Sequence, residues 1–365
     1  MRHTILLLDL LLLATCALAV TVVGCRTPET PSPSIESLPA HATAPTDAET
    51  PTPIAGSAPS ADEPTRAAIR RALPVLAAEG WAWMRGEVAI QDGQACVSCH
   101  HVNYAVWSLH EARRIGLDTS VGELDALITE ATAFVDRPST ARSMSIGPML
   151  LGLGHDPTTL VDRLIDLQTQ SGRWRARGQF PDQRRPVEES DAVATLWSLL
   201  VLPADSLRAN EAAESALSWL LDADRGDTNE WLAGQMLLAA HLDRPAERDR
   251  SRIALRAAQN TDGGWGWRRG EASNAFSTGQ ALYALARIGQ PTDPRAHDYL
   301  IANQQDDGWW SVPSAAISRE PTAERDQIYR FWGTAWATIG LARSSERRPA
   351  LDRLASSRPM MPSER

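Results

Sequence analysis

Cys96-Val97-Ser98-Cys99-His100 places two thiols and an imidazole side by side. On a helix the two thiols lie about one turn apart. Both can then reach the two vinyl groups on one edge of a porphyrin, and the imidazole can bind the iron from below. C-x-x-C-H is the attachment pattern of a c-type haem. The spacing therefore predicts haem c bound covalently through Cys96 and Cys99, with His100 as its iron ligand. Zinc is the alternative, held by Cys96, Cys99 and either His100 or His101, with a fourth ligand to be found. A disulfide between the two cysteines is a third reading. His101 follows His100 directly and cannot easily ligate the same iron, so it is expected to be exposed or hydrogen-bonded. Met144, His110 and His155 are candidate distal ligands, and an axial Met would raise the potential.

A second group that could do chemistry is acidic: Glu188, Glu189 and Asp191. They could work together as a catalytic cluster. They also suit the first turn of a helix, where the dipole favours negative charge.

The elements that must position these residues come from an internal repeat. One unit reads Gln259-Asn260-Thr261-Asp262-Gly263-Gly264-Trp265-Gly266-Trp267, followed by an Ala/Leu-rich stretch from Ser277 to Ala286. Another reads Gln304-Gln305-Asp306-Asp307-Gly308-Trp309-Trp310, followed by Gly333 to Ala342. A weaker copy is Gln168-Thr169-Gln170-Ser171-Gly172-Arg173-Trp174, followed by Asp191 to Trp197. The Ala/Leu-rich pattern starts near Tyr104, Ser145, Asp191, Leu232, Ser277 and Gly333, at intervals of 41, 46, 41, 45 and 56 residues. Each interval holds an outer helix, a Gly/Trp turn and an inner helix. Gly supplies the positive φ that ends a helix and reverses the chain. Small residues on the inner helices allow close approach. Six hairpins suit an all-α fold, an α/α toroid with an inner ring inside an outer one. An open solenoid is the alternative.

The Q-x-x-D-G-G-W-G-W repeat resembles the terpenoid cyclase and protein prenyltransferase superfamily over about Arg66 to Arg343. The resemblance implies the toroid. It also sets the chain apart from that superfamily's best-known chemistries. The acidic D-x-D-D motif of the squalene-cyclase branch is missing, since Asp222-Ala223-Asp224-Arg225 departs at its fourth position. The late repeats have no Cys for a prenyltransferase zinc, and no C-G-E-Q thioester motif occurs.

Aligned on the repeat, Cys99-His100-His101 opens the first inner helix. Val187-Glu188, Thr228-Asn229, Ser273-Asn274 and Tyr329-Arg330 fall at equivalent turns. In a closed toroid they ring one mouth, so a haem there would lie at the rim or in the cavity, beside Tyr329, Phe331 and Trp332. Most of the 13 Trp belong to turns and core, with a few left to line a hydrophobic cavity.

Arg2 and His3 precede an apolar run from Ile5 to Val23, which reads as a signal peptide. Its end, Val22-Val23-Gly24-Cys25, resembles the lipobox of bacterial lipoproteins, which makes Cys25 the lipidation site. The predicted organisation is a leader over 1–24, a Pro/Thr/Ser/Ala tether over 25–65, a toroid over 66–343 and a polar tail over 344–365. The expected location is the bacterial cell envelope, on the periplasmic or extracytoplasmic side, with the membrane as partner through the lipid. A net charge of −9 argues against nucleic acid. All 36 basic residues are Arg, which excludes any lysine Schiff base. The sequence reading is a lipid-anchored haem protein on a toroid scaffold, transferring electrons to an unknown redox partner. The alternatives are a toroid binding or processing an apolar ligand, and a metal-binding or protein-interaction toroid.

Overall fold

The computed structural model describes residues 63–87, 101–120, 123–137, 142–153, 157–176, 183–222, 226–314 and 323–345. All of them belong to one compact unit, Gly56–Arg365. The described residues form twelve helices and no strand. Six are outer helices: α1 (Glu63–Arg85), α3 (Leu124–Val135), α5 (Thr158–Asp166), α7 (Leu207–Asp222), α9 (Pro245–Ala257) and α11 (Pro294–Ala302). Six are inner: α2 (Val102–Arg114), α4 (Ser143–Leu153), α6 (Val187–Leu199), α8 (Asn229–His241), α10 (Ala275–Arg287) and α12 (Ala323–Ser344). Every inner helix falls where the repeat places one.

The two sets differ in sequence for a physical reason. Helix α9 buries only Ser251 and Leu255 along its length, and α11 only Ala296 and Leu300. Each shows one narrow apolar stripe, as a surface helix should. Helix α6 is buried at every position from Glu189 to Leu199. A helix buried all round cannot show an amphipathic period, which is why small and apolar residues run together there.

The same three bonds lock the turn in three repeats. Gln168 Nε2 donates to Gly172 O at 2.7 Å, Gln259 Nε2 to Gly263 O at 2.8 Å, and Gln304 Nε2 to Gly308 O at 3.0 Å. The indole N–H groups of Trp174, Trp265 and Trp310 donate back to the outer helix at Leu164, Leu255 and Leu300, each at 2.7 Å. The backbone N–H groups of those tryptophans donate to Thr195, Thr278 and Thr334 on the inner helix at 2.9–3.0 Å. Gln, Gly, Trp and Thr thus recur because one turn needs all four.

Gly172, Gly263 and Gly308 have φ near +90°, a conformation that glycine tolerates best. Each also touches the next outer helix, since a Cβ there would meet Ser215 on α7, Arg295 on α11 and Arg71 on α1, respectively. The last of these contacts joins repeat six to repeat one. Gln304 reinforces it by donating to Ala68 O at 2.9 Å. On the inner ring, Ser108 of α2 donates to Ala335 O of α12. The chain is therefore a closed α/α toroid rather than an open solenoid.

The toroid axis is filled. Trp107 of α2 lies edge-on to Tyr283 of α10 and Trp336 of α12, with centroids 5.1 Å apart in both pairs. Trp197 of α6 sits 5.6 Å from Trp336 and 6.2 Å from Trp107. All four rings are buried, and edge-to-face packing is favourable for them. The tryptophans expected to line an open cavity instead plug it.

Candidate functional site at the toroid mouth

The N-terminal ends of the inner helices define one mouth. Asn274 caps α10 by accepting from Ser277 N at 2.9 Å, and Thr228 caps α8 by accepting from Trp231 N. Both are good N-cap residues because their side-chain oxygens satisfy an otherwise unpaired N–H. Alignment on the turn threonines sets Asp191, Asn274 and Arg330 four residues before Thr195, Thr278 and Thr334. Val187-Glu188 therefore lies one turn further out than the sequence alignment implies. Helix α12 begins at Ala323, so about two turns extend beyond the level of Arg330.

Behind the mouth lies a buried polar cluster that spans three repeats. Arg185 and Glu230 form an ion pair at 2.8 Å, with both side chains almost fully buried. Gln280 Nε2 donates to the second oxygen of Glu230 at 3.0 Å, and Arg185 Nε donates to Ser190 Oγ at 3.0 Å. The Arg185 guanidinium also lies 5.3 Å from the Trp267 ring. The hydrogen bonds from Gln280 and to Ser190 offset part of the cost of burying such a pair. Nothing local marks this cluster in the sequence, since 45 residues separate Arg185 from Glu230 and 50 separate Glu230 from Gln280.

The acidic trio does not act together. Glu188 is exposed. Glu189 points across to α8, where its Oε1 accepts from Thr228 Oγ1 at 2.6 Å and from Thr228 N at 3.2 Å. Asp191 turns the other way, accepting from Ala176 N at 2.8 Å and pairing with Arg173 at 3.0 Å. Glu189 thus joins its repeat to the next, while Asp191 bonds within its own.

A recess of about 120 Å³ opens beside the buried cluster. Trp267, Phe276 and Tyr329 form its aromatic wall, with Val312 and Pro313 opposite. Arg184, Glu271 and Asn274 supply its polar part, and Arg184 pairs with Glu271 at 3.0 Å. Burial pushes the Tyr329 hydroxyl up to about 12. At neutral pH it is therefore a proton-bearing donor.

Cys96, Cys99, His100, Cys25 and His155 lie outside the described residues. His101 is described, and it is fully buried rather than exposed. Its ring stacks on Trp83 at 3.9 Å and tilts over Phe331 at 4.3 Å. Met144 is buried at the start of α4, and its carbonyl accepts from Asn103. His110 sits over two turns into α2 and contacts the Gly152 carbonyl. It is thus placed away from the mouth that begins at Val102.

The arrangement defines the class of protein, a closed α/α toroid with a plugged axis and a recessed mouth. No family model matches the chain. It is similar to a solved unsaturated glucuronyl hydrolase specific for heparin, with a TM-score of 0.52 and 11% identity over 78% of this chain and 98% of that one. It is also similar to a possible GH105 family member from Klebsiella pneumoniae, with a TM-score of 0.50 and 12% identity over 81% of this chain and 95% of that one. At these identities the likeness concerns the fold.

Two drimenyl diphosphate synthases match short stretches. The one from Streptantibioticus cattleyicolor is 48% identical over 68 residues, covering 18% of this chain and 13% of that protein. The one from Streptomyces showdoensis is 46% identical over 92 residues, covering 22% and 17%. The chain thus spans less than one-fifth of the length of the curated relatives it matches.

These likenesses overturn the reading as a haem-based electron carrier, because they are to hydrolase toroids and diphosphate synthases. The packing agrees. Tyr329, Phe331 and Trp332, expected to flank a porphyrin, are all buried, and their rings rest on His101, Tyr104, Phe276, Trp309 and one another. The recess that Tyr329 lines, of about 120 Å³, is far smaller than a porphyrin. Among the described residues, which do not include Cys96, Cys99 or His100, no group of three or more His, Cys, Asp or Glu side chains could hold a metal ion. No helix among the described residues is long and apolar enough to cross a membrane.

Proposed function

We propose that the chain is a carbohydrate-binding toroid that binds a saccharide across its mouth, with part of one ring seated in the recess. The observation that carries this reading is the pairing of aromatic side chains with a polar rim in one recess. Trp267, Phe276 and Tyr329 offer apolar surface to one side of a ring. Arg184, Glu271 and Asn274 offer groups that can hydrogen-bond its hydroxyls. The recess holds only part of such a ligand, so the rest extends along the mouth. Its plugged axis separates this chain from toroids that would enclose a substrate. The named action of the heparin-specific neighbour makes saccharides the first class to test. The leader over 1–24 and Cys25 support a place in the cell envelope for this binding.

The test is titration with a heparin-derived unsaturated disaccharide, a neutral disaccharide and farnesyl diphosphate, followed by tryptophan fluorescence and calorimetry. A saccharide should bind, and Arg184→Ala should weaken it about ten-fold through the lost hydrogen bond. Arg184 is exposed, so this variant should keep the fold. Saturable binding of farnesyl diphosphate with none of either saccharide would overturn the reading.

A further inference from the structure

The opposite mouth, at the C-terminal ends of the inner helices, carries a second cavity. Its volume is about 210 Å³. Leu151 of α4, Leu200 after α6, Leu237 of α8 and Ile288 after α10 form its walls, and Tyr283 closes it toward the axis. Arg287 and His241 stand at its edge, and both are exposed. Among the described residues neither makes a hydrogen bond or an ion pair.

The charge around this cavity is one-sided. The guanidinium groups of Arg287 and Arg343 lie 5.8 and 5.7 Å from the Tyr283 ring. Arg343 also pairs with buried Glu111, and Arg114 reaches the same carboxylate at 3.5 Å. Two arginines therefore share one carboxylate, while Arg287 and His241 stand at the cavity edge. Helix C-termini ordinarily account for such residues, because their unpaired carbonyls attract cations. Here the carbonyls are already satisfied by the following backbone. Leu238 and Ala239 accept from Leu242 and Arg244, and Ala284, Leu285 and Ala286 accept from Ile288, Gln290 and Gly289. Arg287 is left with a charge that no described group neutralises.

We infer that this cavity is a binding site for a small carboxylate with a compact apolar body, such as a single ring. The apolar walls take the body and Arg287 takes the carboxylate, for which its planar fork is suited. Size supports this class, since a cavity of about 150 Å³ accommodates benzene. The site lies at the other end of the toroid from the saccharide recess and does not depend on it.

The test uses the full chain with benzoate and its neutral counterpart benzyl alcohol, read by calorimetry and by NMR shifts of Tyr283 and His241. Benzoate should bind more tightly than benzyl alcohol, and added salt should weaken benzoate alone. Arg287→Met keeps the apolar stem and removes the charge. It should weaken benzoate at least about ten-fold and leave benzyl alcohol unchanged. Ala240→Leu, which adds volume at the lining, should weaken both. Circular dichroism establishes that the variants stay folded. Failure of the wild-type protein to bind benzoate, or equal binding of the two ligands unaffected by Arg287→Met, would overturn the inference.

Discussion

Gly308, in the turn before α12, packs directly against the Arg71 backbone of α1, and this contact closes the ring. It repeats the contacts of Gly172 with Ser215 and Gly263 with Arg295. Closure therefore uses the same joint that connects successive repeats, with the first outer helix standing where a seventh would be. Gly308→Ala should destabilise the chain by about 2 kcal/mol or more, since a Cβ adds a backbone clash to an unfavourable φ. Gly270 provides the control. It too has positive φ, at 83°, but open space surrounds it. Gly270→Ala should cost only about 1 kcal/mol. Urea unfolding of both variants separates joint from φ, and equal losses would deny the joint a special role.

Trp310→Phe should act on the same joint. The ring stays apolar, but the indole bond to Leu300 O is lost and a buried carbonyl loses that donor. The expected cost is about 1–3 kcal/mol. The equivalent change at Trp174 or Trp265 should cost a similar amount, because all three bonds measure 2.7 Å. Thermal unfolding of the three variants would show whether the turns are equivalent.

Removing either partner of the buried Arg185–Glu230 pair should cost about 3–5 kcal/mol, since the survivor is left charged in the interior. The double variant Arg185→Met/Glu230→Leu should cost less than the sum of the singles by about 2 kcal/mol. Chemical denaturation of the four proteins completes the cycle. Additive losses would mean that Ser190 and Gln280, not the pair, hold the cluster.

Glu79 on α1 gives a pH-dependent term. Burial raises its carboxyl above the ordinary 4.5, opposed by hydrogen bonds from Gln327 and Trp83 and by the charge of Arg330. A raised value means that the fold favours the protonated form. The favourable contribution is complete below about pH 4.5 and is lost as pH rises through the folded-state value. Glu79→Gln cannot ionise and should be at least as stable as wild type at pH 7. The difference should vanish near pH 4. Melting curves across that range test the sign, and a difference that grew on acidification would reverse it.

What the sequence could specify by itself was what is local. The Gln–Gly–Trp turn closes within a few residues, so its bonds recur as a readable motif in three repeats, and the Ala/Leu-rich pattern marks all six inner helices. Six hairpins suited closure but left an open solenoid as the alternative, and the contact of Gly308 with Arg71 decides between them. The mouth was only partly legible. The repeat places Thr228 and Asn274 at the mouth, but the Arg185–Glu230–Gln280 cluster joins three repeats and leaves no mark within any one of them.

Only the tertiary structure decided that the axis is closed. Trp107, Trp197, Tyr283 and Trp336 sit on helices buried on every side, where composition cannot say which way a ring points. The same limit applied to Glu189 and Asp191, two residues apart yet bonded to different repeats, and to His101, which lies between Trp83 and Phe331. Local bonding wrote the repeat into the chain. The packing of side chains from distant repeats determined where space and uncompensated charge remain, and hence where a ligand can bind.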